Sequence, residues 1–146
     1  MIARMVSAGA ADGLELRFDR ARPGNTFDAH RLLHLAAARG AQGDLKERLL
    51  RATFTEGDPI SDRDTLVRLA VDVGLDAEKV GAVLTGDAYA AEVRADERRA
   101  AELDITAVPT FVIDNGAPLP GAQPPHVLRR VLDRAWDYHP VPRLGT

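Results

Sequence analysis

Between Asn25 and Leu103 the chain is punctuated as a series of short helices, and this constrains the fold more than any other feature. Each apolar run there recurs at spacings of three and four. Each is preceded by a residue whose side-chain oxygen can cap a helix, and most are followed by glycine. Asn25 or Thr26 caps a first run carrying Phe27, Leu32, Leu33 and Leu35, which ends at Gly40. Asp44 opens a second with Leu45, Leu49, Leu50, Thr53 and Phe54, which stops near Gly57 and Pro59. Ser61 or Asp62 caps a third with Leu66, Leu69, Ala70 and Val73, Asp76 a fourth with Val80, Val83 and Leu84, and Asp87 a fifth with Tyr89, Val93, Ala100 and Leu103. Helices that start and stop so often cannot form one long coiled coil. They must bury short amphipathic faces against one another.

The pattern changes on both sides of this series. Leu14–Asp19 alternates apolar and charged residues, the period of a half-buried strand, and the stretch before it reads as a helix running into Gly13. After Leu103, the β-branched run from Ile105 to Asp114 predicts a buried strand over 109–114. Asn115 and Gly116 supply positive-φ positions for a tight turn. Residues 117–120 return as a ragged edge strand, because Pro118 and Pro120 cannot donate to a ladder. Pro124 or Pro125 then begins a last helix with Val127, Leu128, Val131, Leu132, Ala135 and Trp136, ended by Pro140 and Pro142. The fold class is therefore α/β and mostly helical. The divisions are 1–23 (helix and extended segment), 24–104 (helical domain), 105–138 (strand, hairpin and helix lobe) and 139–146 (tail).

Composition excludes several functions. The 146 residues contain no cysteine, so they hold no disulfide, thiolate metal site or cysteine nucleophile. A net charge of −3 argues against nucleic acid as a partner, and the 17 arginines against two lysines fall mostly on polar helix faces. No run is long and apolar enough to cross a membrane. The first twelve residues make a poor secretory signal, so the expected location is the cytoplasm.

Three segments carry a resemblance: Gly24-Asn-Thr-Phe-Asp-Ala-His-Arg31, then Glu92–Asp96 with Ile105–Ile113, and Gly121-Ala-Gln-Pro124. In this order they resemble the C-terminal portion of the DsbA-like thioredoxin-fold family, of the FrnE and 2-hydroxychromene-2-carboxylate isomerase type. The resemblance implies a helical insertion followed by the second half of a thioredoxin core. The first half carries Cys-x-x-Cys, or serine in glutathione-dependent isomerases. By resemblance it lies upstream of Met1 or does not exist. Family members often carry glycine where this chain has Asp104 and Ala107, positions where a left-handed backbone would suit glycine better.

The resemblance also implies the site. Val108-Pro109 is the cis-proline element, an isomer that costs an X-Pro bond little, and Thr110 follows it into the strand. Gly121, Ala122 and Gln123 form the loop beside it. Together these residues bind a peptide or thiol substrate, or glutathione, the one small ligand implied. Asn25 and Thr26 cap a helix and by resemblance present it near that groove. No catalytic residue is assigned, since thiol–disulfide exchange needs a thiolate. His30 and His34 share a helix face but lack further ligands, so no metal is assigned. The leading expectation is a thiol–disulfide oxidoreductase or isomerase of this family in truncated or degenerate form, redox-inactive as these residues stand. The alternatives are a glutathione-binding isomerase or transferase-like protein and a non-catalytic helical interaction module. With its neighbour strand missing, the strand at 110–114 is expected to expose an edge. That edge would support a homodimer, accept Leu14–Asp19 as a substitute strand, or leave the C-terminal lobe loose.

Overall fold

A computed structural model describes residues 2–114 and 116–138. It is mostly helical. The elements are α1 (Ile2–Ala11), α2 (Phe27–Ala37), α3 (Gln42–Arg51) continued by a π-helical turn (Ala52–Glu56), α4 (Arg63–Asp72), α5 (Ala77–Thr85), α6 (Ala90–Glu102), β1 (Thr110–Phe111), β2 (Leu119–Pro120) and α7 (Pro125–Tyr138). The chain packs as two units, one up to Arg94 and one from Ala95 onward. This division falls inside α6, whereas the sequence division at residue 104 follows the end of the helix.

The first unit is built on the predicted apolar spacing. α2 packs on α3 and α5, and α4 packs on the same two helices. Leu32, Leu45, Leu66, Leu69 and Val80, drawn from all four helices, are fully buried at the centre. Each such side chain contributes about 1.5–3 kcal/mol when removed from water.

Helix starts follow the expectation at some ends and depart from it at others. Asp62 accepts the Thr65 N–H at 2.8 Å and Asp76 accepts the Lys79 N–H at 2.9 Å, so each caps its helix. At α2 the backbone boundary is Thr26, whose side chain makes no capping bond, and Asn25 Oδ1 instead accepts the Phe27 N–H at 2.8 Å. Asp44 does not open its helix: α3 begins at Gln42, and Asp44 lies in the first turn, where its charge favours the N-terminal dipole. Asp87 acts through its backbone, its carbonyl accepting the Ala90 N–H at 3.0 Å, while Tyr89 takes φ 62° before α6.

Leu14–Asp19 is not a strand. Its backbone partners come from α1, where the Leu14 N–H donates to the Gly9 carbonyl at 2.7 Å, and from the end of the α3 helix, instead of from a ladder. The Arg17 N–H donates to the Phe54 carbonyl at 2.6 Å, and the Thr55 hydroxyl donates to the Glu15 carbonyl at 2.9 Å. Phe18 and Phe54 meet edge to face at 5.6 Å between ring centres. A π-helical turn presents these groups outward, so the segment satisfies its polar backbone against a helix end. This also removes it as a substitute partner strand.

In the second unit β1 and β2 pair antiparallel, Thr110 opposite Pro120 and Phe111 opposite Leu119. The strand expected over 109–114 is thus only two residues long, because Pro118 and Pro120 limit the ladder on the returning side. The expected turn at Asn115 and Gly116 falls partly outside the described residues. The Gly116 N–H bonds the Ile113 carbonyl at 2.8 Å, and the left-handed residue is Asp114 at φ 50°. Asn115 lies outside the described residues. Asp104 occupies the left-handed position just past α6, at φ 53°, while Ala107 does not take positive φ. Pro125 is the first residue of α7, where its missing N–H costs no helical bond. Pro140, Pro142 and the 139–146 tail lie outside the described residues. No residue described from Ala95 onward is buried.

Candidate functional site

The residues of the 105–123 segment converge on one bend. The Val108–Pro109 peptide bond is cis. The Thr110 hydroxyl donates to the Ala107 carbonyl at 2.6 Å, closing the bend around Val108 and Pro109. The Gly121 N–H donates to the Pro109 carbonyl at 2.7 Å, which fastens the returning loop to the bend. Gly121 has φ 85°, a conformation that a side chain would strain. Gln123 folds back so that Nε2 donates to the Pro120 carbonyl at 2.6 Å. Pro109 and Thr110 are therefore tied by hydrogen bonds into one bend with Gly121, and Gln123 to Pro120, with Val108 at the apex of the bend and Ala122 between Gly121 and Gln123.

The outcome is an exposed backbone edge. Val108 is 90% exposed, and among the described residues its N–H and C=O have no hydrogen-bond partner. A pocket of about 250 Å³ lies alongside, lined by Asp104, Thr106, Thr110, Pro118 and Pro120. Free backbone groups next to a short strand can take an extended polypeptide, since main-chain hydrogen bonds supply affinity whatever the side chains.

Asn25 and Thr26 belong to the first unit, where they start α2. The residue that sequence reasoning missed is nearby. Arg31 is only 4% exposed. Its guanidinium donates to the Ala88 carbonyl at 2.8 Å, to the Gly86 carbonyl at 2.7 Å and to the Val83 carbonyl, and it pairs with Asp28 at 2.9 Å. Arg63 lies 3.7 Å from the other Asp28 oxygen. Val83 and Gly86 present carbonyls at the C-terminal end of α5, where a cation offsets the helix dipole. Arginine is ordinarily exposed, so periodicity does not mark it out. The available signal was its place at the end of the Gly24–Arg31 segment, three residues after an acid. His30 is exposed and His34 stacks on Tyr89 at 6.2 Å. Among the described residues no three His, Cys, Asp or Glu side chains gather as metal ligands.

A model of the DSBA-like thioredoxin domain family matches residues 1–133. The chain belongs to that family. This DSBA-like chain is 44% identical to the crystal structure of the probable DsbA oxidoreductase SCO1869 from Streptomyces coelicolor. That match has a TM-score of 0.89 and covers 98% of this chain and 62% of that one. It is also 33% identical over 122 residues to the uncharacterized protein YwbO of Bacillus subtilis, covering 82% of this chain and 60% of that protein. The DSBA-like chain thus spans about three fifths of the relatives that it matches. Among the described residues no helix is long and apolar enough to cross a membrane.

Proposed function

We propose that this DSBA-like chain is the polypeptide-docking portion of a thiol–disulfide oxidoreductase or isomerase, and that it binds without exchanging thiols itself. The exposed Val108 backbone, fastened between Thr110 and the Gly121–Gln123 loop, carries this reading. An extended peptide pairs with the Val108 N–H and C=O, and its neighbouring side chain enters the pocket beside Thr110 and Pro120. The relatives support the class of reaction, since the Streptomyces protein is titled a probable DsbA oxidoreductase. The 146 residues contain no cysteine, and exchange requires a thiolate, so binding and orientation are what these residues contribute.

The test is an amide titration by ¹H–¹⁵N NMR. The ligand is an extended peptide bearing an S-methylated cysteine, which cannot react. Shifts are expected at Val108, Thr110 and Gly121–Gln123, with no turnover of a disulfide substrate. Saturable shifts confined to α2–α5 would place binding elsewhere and overturn the reading, as would no shifts at millimolar peptide.

A further inference from the structure

Asp104 is out of place by each local rule that applies to it. Its N–H donates to the Ala101 carbonyl at 3.0 Å and the Ile105 N–H donates to the Ala100 carbonyl at 2.9 Å, the paired bonds that close α6. That closure needs a left-handed residue. Asp104 supplies it at φ 53°, a shape that glycine takes without steric cost. The carboxylate also follows the C-terminal end of α6, where the helix dipole disfavours negative charge. Among the described residues no cation or hydrogen-bond donor meets it. Such local costs without a local return are found at functional positions.

The surroundings of Asp104 give its charge a use. Among the described residues that line the cavity of about 250 Å³ beside Thr110, Asp104 alone is charged. Leu103, Ile105, Pro118 and Pro120 supply apolar wall there. The Thr110 hydroxyl is already given to the Ala107 carbonyl, so it offers no donor to a ligand. We infer that Asp104 selects which polypeptide docks, by requiring lysine or arginine as the side chain that enters this cavity. The aliphatic stem of that side chain lies along Pro118 and Pro120, and its cationic head meets the Asp104 carboxylate. This assignment rests on the docking at Val108 proposed above and adds the substrate class, an extended segment with a basic residue beside the one paired with Val108. Asp104 is exposed, so its charge should strengthen binding only about two- to fivefold at low salt, and less as salt rises.

The experiment titrates the ¹⁵N-labelled full chain with three extended peptides. Each bears an S-methylated cysteine flanked on both sides by lysine, by norleucine or by glutamate. Norleucine keeps the stem of lysine and drops its charge. The lysine peptide is expected to bind about two- to fivefold more tightly than the norleucine peptide, and the glutamate peptide more weakly than either. Only the lysine peptide should lose affinity when salt is raised, and its shifts should extend to Leu103–Thr106. Asp104→Asn removes the charge, and asparagine also tolerates the left-handed shape, so the lysine and norleucine peptides should bind this variant alike. Equal affinity of the parent for those two peptides, with shifts at Val108, Thr110 and Gly121–Gln123, would leave the docking standing and overturn the role of Asp104. A lysine preference that survives Asp104→Asn would also overturn it, since the chain's net charge of −3 would then be the cause. No shifts with any peptide at millimolar concentration would overturn the docking, and the selectivity with it.

Discussion

Arg31 brings a positive charge into the helical unit, and its surroundings show why the charge is tolerated. A guanidinium removed from water must find partners for its fixed fork of donors. Here three carbonyls at and after the end of α5 accept from it, and Asp28 balances the charge. The Val83 and Gly86 carbonyls would otherwise be orphans of a terminating helix. Arg31→Met keeps much of the apolar stem and removes every donor. Bonds to charged groups contribute about 1.5–3 kcal/mol each, and buried unsatisfied acceptors cost a further amount. The variant should therefore lose about 3 kcal/mol or more in chemical denaturation followed by far-UV circular dichroism. Arg31→Lys should recover only part of this, because a point charge cannot reach three divergent carbonyls. A loss under about 1 kcal/mol in Arg31→Met would mean that water serves these carbonyls as well as Arg31 does.

Helix ends show how much of each element was legible in advance. Asp62 and Asp76 were readable as caps because carboxylate, spacing and the following apolar run agreed. Asp44 and Asp87 matched the same pattern but do not cap, since Ala41 and the Asp87 carbonyl take over the backbone bonds there. A cap is decided by local backbone angles, which residue type only biases. The failure at Leu14–Asp19 has a related cause. Alternation showed that one side faces apolar surface, but it could not show that the π-helical turn after α3 would satisfy the backbone.

The Asp62 cap also carries a pH prediction. The Thr65 N–H holds the Asp62 carboxyl below its ordinary value, and the Thr65 side chain adds to this. The folded chain therefore favours the charged form. That contribution is fully present above the unfolded carboxylate value of about 3.9 and is lost as pH falls through the lower folded value. Asp62→Ala should melt at a lower temperature than the parent at neutral pH. The gap should narrow in acid and close below the folded value. A gap that stays constant from pH 7 to pH 2 would show that the carboxylate's charge contributes nothing there.

At the scale of the whole molecule, the two units differ in what holds them together. The five largest fully buried side chains and the Arg31 cluster all lie before Arg94, whereas no residue described after it is buried. The family was legible in three short segments, and so was the cluster at Val108–Thr110 and Gly121–Gln123. The lack of an interior was not, because the apolar spacing of α7 is the same whether its stripe is covered or open. Local opening is easiest where few apolar contacts resist it, so the isolated chain should open first in its second unit. Arg129, Arg130 and Arg134 lie on α7, and Arg98 and Arg99 near the end of α6, all exposed. The exposed arginines of α3 and α4, Arg51, Arg63 and Arg68, sit in helices whose inner faces are buried, so cleavage there requires opening of the core. Brief trypsin treatment should therefore remove the C-terminal segment first and leave a fragment ending at Arg98 or Arg99. That fragment should keep the main far-UV melting transition of the parent, and tryptophan emission, which depends on Trp136, should leave with the segment removed. First cuts at Arg51, Arg63 or Arg68 would mean that the helical unit opens before the second one, and that burial does not order stability in this chain.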